Sequence, residues 1–207
     1  MVATMMHPPP TPRRAWLNLL VHELFQTEQS ALEHPQIEAD RLGDVPPARA
    51  LREVAVHATR ALAELPPLMR RSDLVVSRGG KLVGSMFSRV RDCCADLMLS
   101  REKSYRATLL GMRHGVDLVE LVATLARSDG DLELADWCDL WLARRRPLVE
   151  AAAGELVWFA EHPERATEAA RSDNPLANGL HALLRRCQQL VSGLRGGPEA
   201  AAVDGRG

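Results

Sequence analysis

Prolines and capping residues divide this sequence into long segments whose apolar residues recur every three or four positions, and nowhere does it show the two-residue alternation of a half-buried strand. That pattern restricts the chain to an all-α fold. Leu, Ala, Arg and Glu are abundant and aromatic residues make up only 4%, which points the same way, because the abundant side chains lose little rotamer freedom in a helix.

The punctuation predicts the elements one by one. Residues 1–11, with Pro8, Pro9 and Pro10, read as a disordered arm. Thr11 caps a first helix that opens on Pro12 and runs to about His34, where Pro35 is expected to stop it. Leu17, Leu20, Leu24, Glu28 and Ala31 or Leu32 share one face of it, so Glu28 interrupts an apolar stripe. Asp44 and Pro46-Pro47 open a second helix, closed by Pro66 and Pro67 after about Leu65. Its inward face holds Ala50, Val54, His57, Ala61 and Leu62, with Glu53 beside it.

A third helical region extends from about Leu82 to Arg127, with Ser100 or Gly111 as bend points. Ser128-Asp129-Gly130 makes a tight turn, and a fourth helix runs from Asp131 towards His162 with a kink expected at Pro147. Asn174-Pro175 starts a shorter helix through about Leu194, and residues 196–207 form a flexible tail. Four long amphipathic helices with mostly short connections predict an up-and-down four-helix bundle spanning residues 12–195 as one domain, with the additional C-terminal helix packed outside. A chain of 207 residues, 46% apolar and 26% charged, suits one such domain.

Lys and Arg number 26 against 27 Asp and Glu, so no global field attracts polyanions, and nucleic acid is not an expected partner. The arginine pairs are dispersed and lack interleaved aromatics, which fits solvated helix faces. No secretory segment and no apolar run long enough to span a bilayer are present, which predicts a cytoplasmic protein with no membrane partner. Cys93, Cys94, Cys138 and Cys187 form no C-x-x-C pair or zinc-ligand spacing and are expected as reduced core filler.

Enzyme motifs are incomplete. Gly79-Gly80-Lys81 lacks the spaced glycine and the following hydroxyl residue of a phosphate loop, and Asp129-Gly130-Asp131 lacks the remaining ligands of a calcium loop. No nucleophile elbow or triad context appears. Trp137, Trp141, Trp158 and Phe159 concentrate on the fourth helix, where they supply core volume or anchor a partner.

One constellation remains. Thr27-Glu28-Gln29 lies in the first helix, and Glu53-Val54-Ala55-Val56-His57-Ala58-Thr59-Arg60 in the second. Leu121 to Ala126, a short turn and Leu134-Ala135-Asp136 join the third to the fourth. Over roughly residues 15–160 these segments and their order resemble the ferritin-like superfamily, in the branch containing the bacterial stress protein YciF. That resemblance implies a di-iron site with carboxylates and imidazoles from all four helices, because two hard cations in a desolvated core require several anionic oxygens. Glu28, Glu53 and His57 match the first half of it.

The second half departs from the family. Met112-Arg113-His114-Gly115 stands near the third-helix ligands, and Ala143-Arg144-Arg145-Arg146-Pro147 near the fourth-helix acidic run. His114 and Asp117 share a helical face with Leu110, Leu121 and Leu125, and would complete a metal site if that face points inward. In the bland alternative both histidines are satisfied core or boundary residues and the carboxylates pair with arginines.

Leu134, Cys138, Trp141, Arg145, Leu148, Ala152 and Leu156 follow a helical spacing, which puts Arg145 on the apolar stripe. A guanidinium there needs an anion. Arg145 or Arg144 is therefore expected to pair with Glu28 or Glu53 in the space a metal would fill, the alternative being a solvated basic patch beside Pro147. These readings predict a non-catalytic structural or protein-interaction module without a cofactor, self-associating or bound to a protein partner. The alternative is an iron-binding, stress-related protein with an incomplete ligand set.

Overall fold

The computed structural model describes residues 11–74 and 100–170. The expected N-terminal arm, the C-terminal helix and tail, the Gly79-Gly80-Lys81 segment and Cys93, Cys94 and Cys187 lie outside the described residues. Within them the chain is helical, and its only bridge pairing is the isolated one between Ser100 and Ala169. No described helix is long and apolar enough to cross a membrane.

Four long helices form the body: α1 (Pro12–Leu42), α2 (Pro46–Arg71), α3 (Arg101–Asp129) and α4 (Leu132–Gly154). Two short ones follow, α5 (Leu156–Glu161) and α6 (Pro163–Ala166). The Thr11 side chain accepts from the Arg14 backbone N–H and the Asp131 side chain from that of Leu134, capping α1 and α4 as their positions require. Gly130, at φ +81, supplies the left-handed residue that ends α3.

Three expected boundaries are corrected. Pro35 does not stop α1, and Pro66-Pro67 do not stop α2. An interior proline costs a helix about 3 kcal/mol, but ending α1 at His34 would expose Ala39 and Leu42, and ending α2 at Leu65 would expose Leu68 and Met69, all buried. Burial of the leucine and methionine side chains contributes about 1.5–3 kcal/mol each and that of the alanine methyl about 0.8, so the apolar stripe carries the helix through. The fourth helix ends early, at Gly154. There the buried Tyr105 hydroxyl donates to the Ala152 carbonyl at 2.7 Å and a glycine lowers helix propensity; the next turn swings out as α5, bringing Phe159 within 5.2 Å of the Tyr105 ring.

Helix α1 packs on α2 and α3, and α4 packs on the same two. The apolar residues they bury fall into two clusters. One draws on residues 17–24 of α1, 61–69 of α2, 118–126 of α3 and 134–142 of α4. The other joins Ala39 and Leu42 with apolar side chains from residues 48–54, 105–112 and 149–152. The first cluster therefore gathers the start of α1 and α4 and the end of α2 and α3. Neighbouring helices are antiparallel, but α2 and α3 run in the same direction, so the expected simple up-and-down order is corrected: the end of α2 and the start of α3 lie at opposite ends of the helices. The turns at Gly43 and Gly130 are short.

At one end a single side chain reaches three partners. Arg14 of α1 donates to Asp129 at 2.8 Å and Asp131 at 3.3 Å in the α3–α4 turn, and to the Ser72 carbonyl after α2.

Candidate functional site

Between the two apolar clusters lies a layer with one residue from each long helix: Glu28 on α1, His57 on α2, Gly115 on α3 and Arg145 on α4, all buried. Each follows from its stripe. Glu28 continues Leu17, Leu20 and Leu24; His57 stands between Val54 and Ala61; Arg145 is four residues beyond Trp141 and four before Val149. Gly115 brings α1 close to α3, since a Cβ there would stand 3.3 Å from the Thr27 methyl.

Arg145 donates from Nη2 to Glu28 Oε2 at 2.5 Å, with both side chains 1% exposed. This is one of the pairings expected of Arg144 or Arg145 with Glu28 or Glu53. Because α1 and α4 are diagonal in the helix arrangement, the pair crosses the middle of the molecule. The guanidinium carbon stands 4.8 Å from the Trp141 ring centroid, a cation–π contact, and the same indole meets His57 edge-on, with ring centroids 5.7 Å apart. The Trp141 indole N–H faces Glu28 without reaching good hydrogen-bond geometry. Sequence reasoning treats Trp141 as core volume; its place four residues before Arg145 is the signal that it organises this layer.

Electrostatics in the layer are set by burial. Loss of solvation pushes Glu28 up to about 7, against the pull of Arg145. His57 is lowered to about 4, first by burial and then by the positive charges of Arg145, Arg144 and Arg60. Burial lowers Arg145, with Glu28 opposing. Near neutrality His57 is therefore uncharged, and Glu28 titrates. Burial, and then the Asp139 charge, push the Cys138 thiol in the neighbouring cluster up to about 12, which keeps it an unreactive thiol.

The remaining candidates are elsewhere. Glu53 is exposed on α2, one position off the inward stripe. His114 and Asp117 are exposed on the outside of α3, and His114 Nε2 lies 3.4 Å from Glu23 Oε1. The face of Leu110, His114, Asp117 and Leu121 points outward, correcting the expectation that it faces the axis. Arg144 is also exposed, at the mouth of a cleft beside His57. No family model matches the chain, and neither a curated protein nor a solved structure matches it.

The donor set does not fit a di-iron centre. Of Glu28, Glu53, His57, His114 and Asp117, only Glu28 and His57 enter the polar layer, and Glu28 is engaged by a guanidinium. Among the described residues no three His, Cys, Asp or Glu side chains come together as a metal requires. What the arrangement can do is hold a fixed positive charge and a titratable carboxyl between two apolar clusters.

Proposed function

We propose that this chain is a ferritin-like helical bundle in which the Arg145–Glu28 pair stands where relatives hold metal, and that it works in the cytoplasm as a non-catalytic structural or protein-interaction module. The buried pair carries this reading: it occupies mid-height between the four long helices, where inward carboxylates would ligate metal in a di-iron bundle. Support also comes from the parallel course of α2 and α3, which is what the single crossover of ferritin-like folds produces.

Self-association is the form of interaction the surface favours. Trp16 is 48% exposed and Leu19 66%, flanking buried Leu17 and Leu20, and exposed Leu121 flanks buried Val122 in the same apolar cluster. These large apolar side chains lie outside one end of the body, where a second copy would cover them.

Two measurements test the proposal. Elemental analysis of purified protein, with Glu28→Ala and His57→Ala as controls, is expected to find iron well below one atom per chain in all three; stoichiometric iron lost in both variants would overturn the reading. Sedimentation velocity over a range of concentrations is expected to show an oligomer that Leu19→Glu shifts to monomer. A monomer at every concentration would remove self-association from the proposal.

A further inference from the structure

The polar layer opens to solvent on one side, through a cleft between α2 and α4 of about 140 Å³. Its wall carries His57, Arg60 and Glu64 from α2 and Trp137, Trp141 and Arg144 from α4. The spacings of three, four and seven residues put each set on one face of its helix. We propose that this cleft binds a small oxyanion of phosphate size, held between the Arg60 and Arg144 guanidinium groups over the floor made by His57.

Charge is the first argument. Glu64 is the carboxylate in the wall, and its Oε2 accepts from the Trp137 indole N–H at 2.9 Å. Arg60 and Arg144 make no ion pair among the described residues, so the cleft holds two cations against one anion, with the buried Arg145 charge behind it already committed to Glu28. Both guanidinium groups lie near enough to His57 to help hold it neutral.

The second argument is burial of the floor. His57 is 8% exposed, so an anion seated over its ring loses part of its hydration there, and the two guanidinium forks replace the lost contacts with charge-assisted hydrogen bonds.

Size selects the ligand class. The volume equals that of roughly four or five waters, which accommodates a tetrahedral oxyanion with its remaining hydration and is smaller than the ~300 Å³ at which pockets for larger organic ligands begin.

Isothermal titration of the full chain with inorganic phosphate at low chloride tests this. Saturable binding of one phosphate per chain is expected, with sulfate competing. The Arg60→Gln/Arg144→Gln variant should bind at least about tenfold more weakly with its helical circular dichroism intact, and Arg70→Gln/Arg113→Gln, which removes the same charge from exposed sites elsewhere, should bind as the parent does. The imidazole resonances of His57 should titrate at higher pH when phosphate is present. Absence of saturable binding at about 10 mM phosphate, or equal weakening in both double variants, would overturn the proposal.

Discussion

Replacing Glu28 with glutamine should stabilise the protein at high pH and leave it nearly unchanged at low pH, the opposite of what removing half of an ion pair suggests. Glu28 is an acid raised from 4.5 in the unfolded chain to about 7 in the fold, because the loss of its hydration outweighs the attraction of Arg145 at 2.5 Å. Between those values the folded chain keeps a proton that the unfolded chain has released. Linkage then requires stability to fall as pH rises through that window and to level off above it. At about 1.36 kcal/mol per pH unit, the decline amounts to roughly 3 kcal/mol. The substituted glutamine imitates the protonated acid, since its amide oxygen still accepts from Arg145, but it releases no proton on unfolding. Urea unfolding followed by circular dichroism, on parent and Glu28→Gln at intervals from pH 4 to pH 8, exposes the effect, because titrating groups remote from the layer cancel in the difference. The variant's advantage should grow by about 3 kcal/mol from pH 4.5 to pH 8. A flat difference, or one growing in the parent's favour, would show that attraction to Arg145 exceeds the cost of burial and refute the reasoning.

His57 should act in the reverse sense. Its folded value is depressed to about 4, so the unfolded chain takes up a proton first and stability is lost as pH falls from 6.5 towards 4, by up to about 3 kcal/mol; the same titration on His57→Gln should lack that loss. Gly111→Ala, at an α3 position where an added Cβ meets nothing within 4 Å, should stabilise by about 0.5–1 kcal/mol in urea unfolding. Gly130→Ala should destabilise by about 1 kcal/mol, because φ is +81 at the end of α3. Tyr105→Phe should lower stability by about 1–2 kcal/mol by removing the donor to the Ala152 carbonyl, and its thermal midpoint reports the loss.

The helical class, the tight turn at Gly130 and the inward face of α4 were legible in the sequence, and from that face the burial of Arg145 followed. Its need for an anion narrowed the partner to Glu28 or Glu53, and the fold supplies Glu28, whose own stripe lies inside. Residues on α3 were harder to read because that helix carries two apolar stripes. Leu110, Leu121 and Leu125 mark one. The other, which the fold buries, runs through Leu109, Met112, Gly115, Val119 and Val122 to Ala126, and its small members are what let α1 approach. Hydrophobicity alone favours neither stripe; shape decides, and shape depends on Thr27, distant in sequence. Proline boundaries misled for a related reason, since a local cost of one ring was set against burial available only in the assembled body. The parallel course of α2 and α3 had no local signal at all.

That course gives the polar layer another meaning. Glu28 and His57 belong to the α1–α2 hairpin, while Gly115 and Arg145 belong to α3–α4, so the charges meet only when the two hairpins dock. Apolar clusters above and below tolerate sliding, because leucines and alanines on helical stripes can mesh again one turn along, a shift of about 5.4 Å. Arg145 cannot follow such a shift without leaving its guanidinium and the Glu28 carboxylate facing hydrocarbon, each at a cost of several kcal/mol. A pair that adds little to stability, by the balance of burial and attraction at Glu28, thus still helps to set, with the buried Ser104–Glu38 hydrogen bond, the height at which the two halves lock together.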